Sequence, residues 1–515
     1  MATLTETAVD SRLSEIGLNG RDTSLLWLGS SIAVSLVAAG ARFDLPIAAW
    51  IAPILLLRFS RTSAFWPAVA GVVVAMSLQM ASFLIQSAIP FTATTPFSCL
   101  GVGAIFATPY LLDRAIGDRL TGFIRTMLLP VAAVMTEYVA ASLLPLGASI
   151  GTRANTQSDW LALLQVIALF GPYAIGFLIA LSATTANAIW ERPTRATVLR
   201  YGGAFAILKL AIIASGETRL AIAANSGLGD TVKVAAVNPS FAVREPARKG
   251  VAMGNYPASA ETLAAVATPT MRTTYAAVQE ELLASTRAAA RAGARIVIWS
   301  ETAAPVLEAD KLPFLQRVAS LARDEGIYVN AAIGVPYERN ETFLFGPDGS
   351  GNWHYRKTHP VPLMEPVAAF YSRPPVKQTR YGRLTNLICY DADWPSLSRI
   401  NADIMLLPGW DWPQEGYVHT IKISRLRAIE NGYSMVRADY NGLTAAFDPY
   451  GRVLASKDTL AGEASTTIVD VPTRGVTTLY SQTGDVLAWL CAALTLIICG
   501  LRYTRPTLRQ KIAAR

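Results

Sequence analysis

The chemistry-bearing residues come first. Residues 386–395 read "NLICYDADWP", in which an apolar run meets Cys389 and is then stopped by acids and Trp-Pro. Glu301 closes the apolar run "ARIVIWSE", and Lys357 closes "NWHYRK". Taken singly, these are ordinary. A lone cysteine is often a small core residue, and a Glu or Lys at a strand end is usually a solvated loop residue. Together they supply three complementary parts. A thiol becomes a good nucleophile when a neighbour takes its proton. A carboxylate can be that acceptor, and a lysine can stabilise the thiolate and the oxyanion of an acyl intermediate. The sequence holds three histidines, His354, His359 and His419, so a Cys-His-Asn arrangement is open but carries no signal of its own.

These residues need a rigid frame. From 232, "VKVAAVNPS" reads as a buried strand, 271–292 as a helix, and 294–301 as a second strand. Residues 312–325 read as helix, 327–335 as strand, and "TFLFGPDGSGNWHYRK" as a hairpin. Strands at 383–390, 402–409 and 433–440 follow, with a helix near 415–431 and a hairpin through "LTAAFDPYGRVLAS". Alternating strands and helices predict an α/β domain, and the hairpins make its sheets mixed.

The rest of the chain is different. Of 515 residues, 52% are hydrophobic and 16% charged, with mean hydropathy +0.33, too apolar for an ordinary soluble protein. Eight apolar stretches are candidate spans: 24–40, 45–57, 64–84, 97–112, 126–145, 161–190, 201–215 and 485–501. Pro53 interrupts the second, and Gly171-Pro172 predicts a kink in the sixth. With the N-terminus inside, the inner loops and the tail carry thirteen Arg or Lys and the outer loops only Arg42 and Arg153. That asymmetry places both termini inside and the α/β domain outside. The net charge of +8 is therefore mostly a topology signal and does not point to nucleic acid. The first 20 residues lack the apolar core of a cleavable signal. Of four cysteines, Cys99, Cys491 and Cys499 lie in apolar runs. No CxxC pair or His cluster suggests a disulfide framework or a metal site.

Three motifs carry a resemblance. "WSETAAP" (299–305), "YRKTHPVPLMEP" (355–366) and "LICYDADWP" (387–395) resemble the Glu, Lys and Cys motifs of the nitrilase, or carbon–nitrogen hydrolase, superfamily. The segment "HTIKISRLRAIENGYSMVRADYNG" (419–442) and the layout of spans resemble its membrane-embedded branch, the apolipoprotein N-acyltransferases. The likeness covers nearly the whole chain. It implies a polytopic α-helical membrane domain with an inserted αββα sandwich. The boundaries expected are 1–23 for a cytoplasmic segment, 24–216 for about seven helices and 217–482 for an extracytoplasmic catalytic domain. A last span at 483–503 and a basic cytoplasmic tail at 504–515 complete the chain, in a bacterial cytoplasmic (inner) membrane.

By resemblance Glu301 is the general base, Lys357 the oxyanion stabiliser and Cys389 the nucleophile. Glu365, Tyr390 and Asp391 are supporting residues, Glu365 orienting Lys357. Asp391 stands where a Glu is more usual. The implied reaction moves a fatty acyl chain from a phospholipid, through a Cys389 thioester, to the terminal amine of a lipid-modified apolipoprotein, with no cofactor or metal. Two stretches depart from the family pattern, 360–364 and the "GWDW" of 409–412. Trp410 and Trp412 are candidate lipid contacts or packing residues. Arg427 and Glu430, three apart on a helix, read as a structural ion pair. Two alternatives stand beside the transferase: a membrane-anchored amidase with water as acceptor, and a non-catalytic scaffold of the same fold.

Overall fold

The computed structural model describes residues 20–143, 147–225, 229–249, 268–336, 338–362, 364–365, 367 and 369–500. Most of the expected N-terminal segment, the whole basic tail and Leu363 of the altered loop lie outside the described residues. The chain divides into two units: one runs to Arg219 and resumes at Thr483, and the other is Leu220–Gln482.

The first unit is helical. Its helices are α1 (Gly20–Ser35), α2 (Ala48–Thr62), α3 (Phe65–Gln86), α4 (Thr95–Ile116), α5 (Gly122–Ser142), α6 (Tyr173–Glu191) and α7 (Ala204–Asn225), with a further helix at Val486–Gly500. Among the described residues, five stretches are helical, long and apolar enough to cross a membrane: α3, α4 with its extension to Arg119, α5, α6, and Arg195–Asn225. Helices α1, α2 and Val486–Gly500 are shorter, at 16, 15 and 15 residues. The kink expected in 161–190 is a full break. The chain makes two short turns, Leu161–Leu164 and Ile167–Phe170, and α6 begins afresh at Tyr173. Gly171 sits at φ 73, a left-handed conformation open to glycine. Pro172 biases the residue before it away from helix, so the two together end one segment and start another.

The second unit is built on thirteen strands among its described residues. They are β1 (Thr231–Asn238), β2 (Ile296–Trp299), β3 (Ala304–Pro305), β4 (Tyr328–Val335), β5 (Arg339–Phe345), β6 (Gly351–Arg356), β7 (Val376–Thr379), β8 (Gly382–Asn386), β9 (Ile404–Trp410), β10 (Ser434–Tyr440), β11 (Leu443–Phe447), β12 (Val453–Asp458) and β13 (Ser465–Pro472). The first sheet runs β13-β1-β2-β4-β5-β6, and the second β12-β11-β10-β9-β8-β7. Each has a parallel centre, β1-β2-β4 or β8-β9-β10, and antiparallel flanks supplied by hairpins. The sheets are therefore mixed, as the hairpin signals required. Strands β7 and β13 went unread in the sequence, being a short edge and an alternating edge.

The sheets face each other. Asn330 of β4 donates to Asn386 of β8 at 2.7 Å, and Asn238 of β1 to Thr444 of β11 at 3.1 Å. Helices α8 (Pro269–Arg291) and α9 (Glu308–Glu325) cover the first sheet, burying Tyr275, Val278, Leu282, Phe314 and Val318 against Val297, Trp299 and Val329. Thr268 caps α8 by accepting from Met271 N, with Pro269 at the first helical position. Trp299 donates to Thr286 at 2.9 Å, so the ring is buried without an orphaned N–H. The helix expected near 415–431 is present, with one widened turn inside it. Glu415–Val418 leads into a wide π turn at His419–Ser424, and then α10 (Arg425–Asn431). Such turns redirect side chains and recur at functional sites. Arg427 and Glu430 form the expected ion pair at 2.5 Å, both fully buried.

Candidate active site

Three strands deliver the candidate residues: β2 and β8 of the parallel centres and β6 of an antiparallel flank. Glu301 lies two residues past β2, and Lys357 one residue past β6. The strand carrying the thiol is shorter than expected. β8 stops at Asn386, and Cys389 opens a tight turn, Cys389–Asp393, beyond it. The physical reason is Asp391. Its carboxylate accepts from Ile388 N at 3.3 Å and so folds the chain back on itself.

Two residues here have a left-handed backbone, Cys389 and Thr302, each at φ 47. For a β-branched residue and a cysteine this is strained, at a cost of about 1–3 kcal/mol each. Both are held by buried polar groups. Asp391 also accepts from Thr358 N at 3.1 Å, His359 N at 2.7 Å and Tyr355 OH at 2.9 Å. It thereby ties the Cys389 turn to the segment that follows Lys357. Arg244 donates to Glu301 O at 2.9 Å and to Thr302 Oγ1 at 3.1 Å. Its guanidinium lies 4.8 Å from the Trp410 ring centre and 3.9 Å from that of Tyr440. Trp410 thus helps to clamp the Glu301 turn, while Trp412 is half-buried just beyond β9.

One side of the site is a carboxylate–lysine cluster. Lys357 Nζ is buried and bonds Glu301 Oε1 at 2.8 Å, and it also pairs with Glu365. Asn340 donates to the same Glu301 oxygen at 2.5 Å. Burial opposes the charge on Lys357. The Glu301 and Glu365 carboxylates outweigh it, so the ammonium stays charged well beyond its ordinary range. Burial and the nearby Glu301 charge push Glu365 up to about 7, against the pull of Lys357.

The other side went unread in the sequence. Cys389 Sγ lies 3.5 Å from Asp411 Oδ1, 4.0 Å from His419 Nδ1 and 3.9 Å from Arg437 Nη2. His419 bridges two carboxylates, with Nδ1 3.1 Å from Asp411 and Nε2 2.5 Å from Asp393. Arg437 pairs with Asp411, and its Nε bonds Asp439 at 3.1 Å. Burial and Arg437 work against a charged imidazole, but the two carboxylates raise its pKa well above the ordinary value. Asp411 is buried, yet Arg437 and His419 hold its carboxyl far below the usual range. Burial and the Asp411 charge push Asp439 the other way, well above the ordinary carboxyl value.

Burial pushes the Cys389 thiol up to about 12, with the Asp411 and Glu301 charges adding to it and Lys357 opposing. The nucleophile therefore rests as a neutral thiol and needs a base. Tyr390 is half-buried beside it, its phenol raised by burial and by the Asp393 and Glu415 charges. Cys389, Asp411 and His419 bring donor atoms within 4.8 Å of one another, a set that could ligate a metal. Arg437 already brings a positive charge to that same point, bonded to Asp411 and 3.1 Å from His419 Nδ1, which disfavours a cation there.

A signal for part of this cluster was present. Arg437 and Asp439 are two apart in "SMVRADY", so they share one face of a central strand, where unpaired charge is rare. Nothing in the sequence marked Arg244 or Asn340.

Residues 262–479 match the family model described as carbon-nitrogen hydrolase. Residues 32–185 match that of the apolipoprotein N-acyltransferase N-terminal domain. An apolipoprotein N-acyltransferase of Geobacter metallireducens is 26% identical over 429 residues, 74% of this chain and 75% of that protein. One of Bradyrhizobium diazoefficiens is 25% identical over 456 residues, 80% of each. Among solved structures, an amidase of Nesterenkonia AN1 from the nitrilase superfamily aligns with 51% of this chain and 97% of its own, at 17% identity and a TM-score of 0.38. By the family model over residues 262–479, the second unit is a domain of the carbon–nitrogen hydrolase type. With its helical first unit, the chain belongs to the apolipoprotein N-acyltransferase family.

Proposed function

We propose that this enzyme N-acylates lipoproteins by a two-step transfer through Cys389. The observation that carries the reading is a strained, buried, neutral thiol in the same site as a buried Glu301–Lys357 pair. Glu301 takes the thiol proton and the sulfur attacks the ester carbonyl of a phospholipid. Lys357 stabilises the resulting oxyanion. Collapse expels lysophospholipid, whose oxygen takes the proton back from Glu301, and leaves a thioester. The terminal α-amine of a diacylglyceryl-cysteine lipoprotein then attacks. Glu301 accepts the amine proton and returns it to the departing sulfur, and the product is an amide. A thioester suits this role because amines attack it readily while an apolar site keeps water out. Glu365 orients Lys357, and Asp391 fixes the nucleophile turn.

The setting is a bacterial inner membrane. On this reading 24–216 and 483–503 are the spans and 217–482 faces the extracytoplasmic side. Residues 1–23 and 504–515 are cytoplasmic. The five long apolar helices and the arginine bias of the loops support it. Intact mass spectrometry after exposure to phospholipid tests the chemistry. An acyl adduct sensitive to hydroxylamine is expected on Cys389, absent in Cys389→Ala. A diacylated lipopeptide with a free amine should discharge it into an amide. Full activity in Cys389→Ala would sink the mechanism, and discharge by water alone would make the protein an amidase-type hydrolase.

A further inference from the structure

The first unit contains a second polar site, far in sequence from the catalytic residues. Ends of four helices meet there: the C-terminal ends of α2, α4 and α6, and the first turn of α5. They enclose a cavity of about 210 Å³. Its wall holds four arginines, Arg58, Arg61, Arg114 and Arg125, against three carboxylates, Asp113, Asp118 and Glu191.

The arginines are not equivalent. Arg61 is fully engaged, with two bonds to Asp113 at 2.8 Å and one to Glu191 at 3.0 Å. It builds the floor. Arg114 and Arg125 reach Asp118 only at 3.9 and 3.7 Å, and Arg125 reaches Glu191 at 3.6 Å. Asp118 itself is 77% exposed, so it neutralises little. Arg58 has no carboxylate partner among the described residues, and its guanidinium stands over the Trp190 ring at 5.1 Å. The Nε atoms of Arg58, Arg114 and Arg125 are all buried without a hydrogen-bond partner. Arg114 spends one Nη on the Ser63 carbonyl at 3.1 Å, but all three guanidinium groups keep an Nε donor unmet around one cavity. Their fork geometry suits a tetrahedral oxyanion.

We propose that this cavity binds the phosphate of an anionic phospholipid headgroup. The wall is positive, so the ligand is an anion. The site lies at the ends of apolar helices, where a lipid phosphate is delivered with its chains along the helix surface. The orientation proposed above puts these helix ends at the cytoplasmic face, so the lipid belongs to the inner leaflet and is not the acyl donor. In that respect the inference rests on that reading.

The test uses the full chain in detergent carrying Cys389→Ala, so that no acyl group is consumed. Native mass spectrometry reads retention of phosphatidylglycerol, phosphatidylcholine and inorganic phosphate. Phosphatidylglycerol should be retained over phosphatidylcholine. Changing Arg58→Gln and Arg125→Gln together should weaken retention roughly tenfold or more, with the melting temperature in lipid-free detergent kept as the check on folding. Arg200→Gln, an exposed arginine outside the cavity, should leave retention unchanged. Should the double variant fail to fold, Arg114→Gln alone serves and should weaken retention in the same direction. Equal retention of the two lipids, or unchanged retention in a folded variant, overturns the proposal. So does saturation by inorganic phosphate with no further gain from phosphatidylglycerol, which would make the source a free oxyanion. Loss of the Cys389 acyl adduct in the earlier experiment bears on the proposed reaction and leaves this result untouched.

Discussion

Cys389 stands between two charge clusters that differ in kind. On the Glu301 side, one lysine is shared by two glutamates, and Glu365 is 24% exposed with its proton lost at about 7. On the His419 side, Asp393, Asp411, Asp439, His419 and Arg437 are all buried; Asp411 is held far below the ordinary carboxyl range, and His419 and Arg437 well above their ordinary values. The first cluster can exchange a proton at neutral pH, as a general base must. The second keeps its charges fixed and holds the thiol in place. On the proposed mechanism these two ionic groups divide into a working half and a scaffolding half, and solvent access and partner number decide which is which.

The comparison can be broken at several points. The largest effect belongs to the atom between the clusters. Cys389→Ala should cost ~10³-fold or more in acyl transfer, since no other group can hold the acyl chain. Glu301→Gln comes next, with an expected loss of ~10²–10⁴-fold; Gln keeps an oxygen for Asn340 and Lys357, and Glu365 is left as the carboxylate partner of the buried lysine. If Glu301→Gln were harmless and His419→Gln lethal at unchanged stability, the two halves would have to exchange roles.

Asp411→Asn should act mainly on the fold and on the thiol. A carboxyl held below its ordinary range stabilises the protein at every pH above that range, and its stabilisation is lost as pH falls towards the folded value. Removing the charge leaves His419 and Arg437 with too little negative partner, a loss of about 3–5 kcal/mol for a buried pair. It also takes away a charge that raises the thiol. Iodoacetamide should therefore alkylate Cys389 with a midpoint below about 12, read by peptide mass mapping across pH. An unchanged midpoint would separate Asp411 from the nucleophile.

The smallest effect is a change in pH dependence. Folding raises the Glu365 pKa, so the folded state holds that proton more tightly than the unfolded chain. Its contribution to stability is then complete at low pH and declines as pH rises from the ordinary carboxylate range to about 7. Over the same interval the new Glu365 charge draws Lys357 away from Glu301, and Cys389 acylation should quicken. Glu365→Gln should flatten both slopes. A surviving midpoint near 7 would assign it elsewhere.

Most elements of the catalytic domain could be read from periodicity, because β1, β4 and β9 are near-continuous apolar runs and α8 has a helical repeat. Edges were harder. β7 is four residues long, and β13 alternates like many exposed segments. The break at Gly171-Pro172 was visible as a kink, but its depth depended on how the two halves pack. In the site, residue type named Glu301, Lys357 and Cys389, since each ends a strand-like run with a reactive group. Asp411, His419 and Asp393 sit in loops and turns where acids and histidines are common, so nothing local singles them out.

The sequence by itself determined which side chains have the chemistry for acyl transfer, and which stretches are apolar enough for lipid. Both follow from residue type and from periods of two or 3.6 along the chain. Tertiary structure decided the electrostatics. Only folding brings Asp411, His419 and Arg437 to within 4 Å of a buried sulfur, or sets Asp391 to hold Cys389 at φ 47. A pKa depends on burial and on charges far apart in sequence, and that information does not exist until the strands have met.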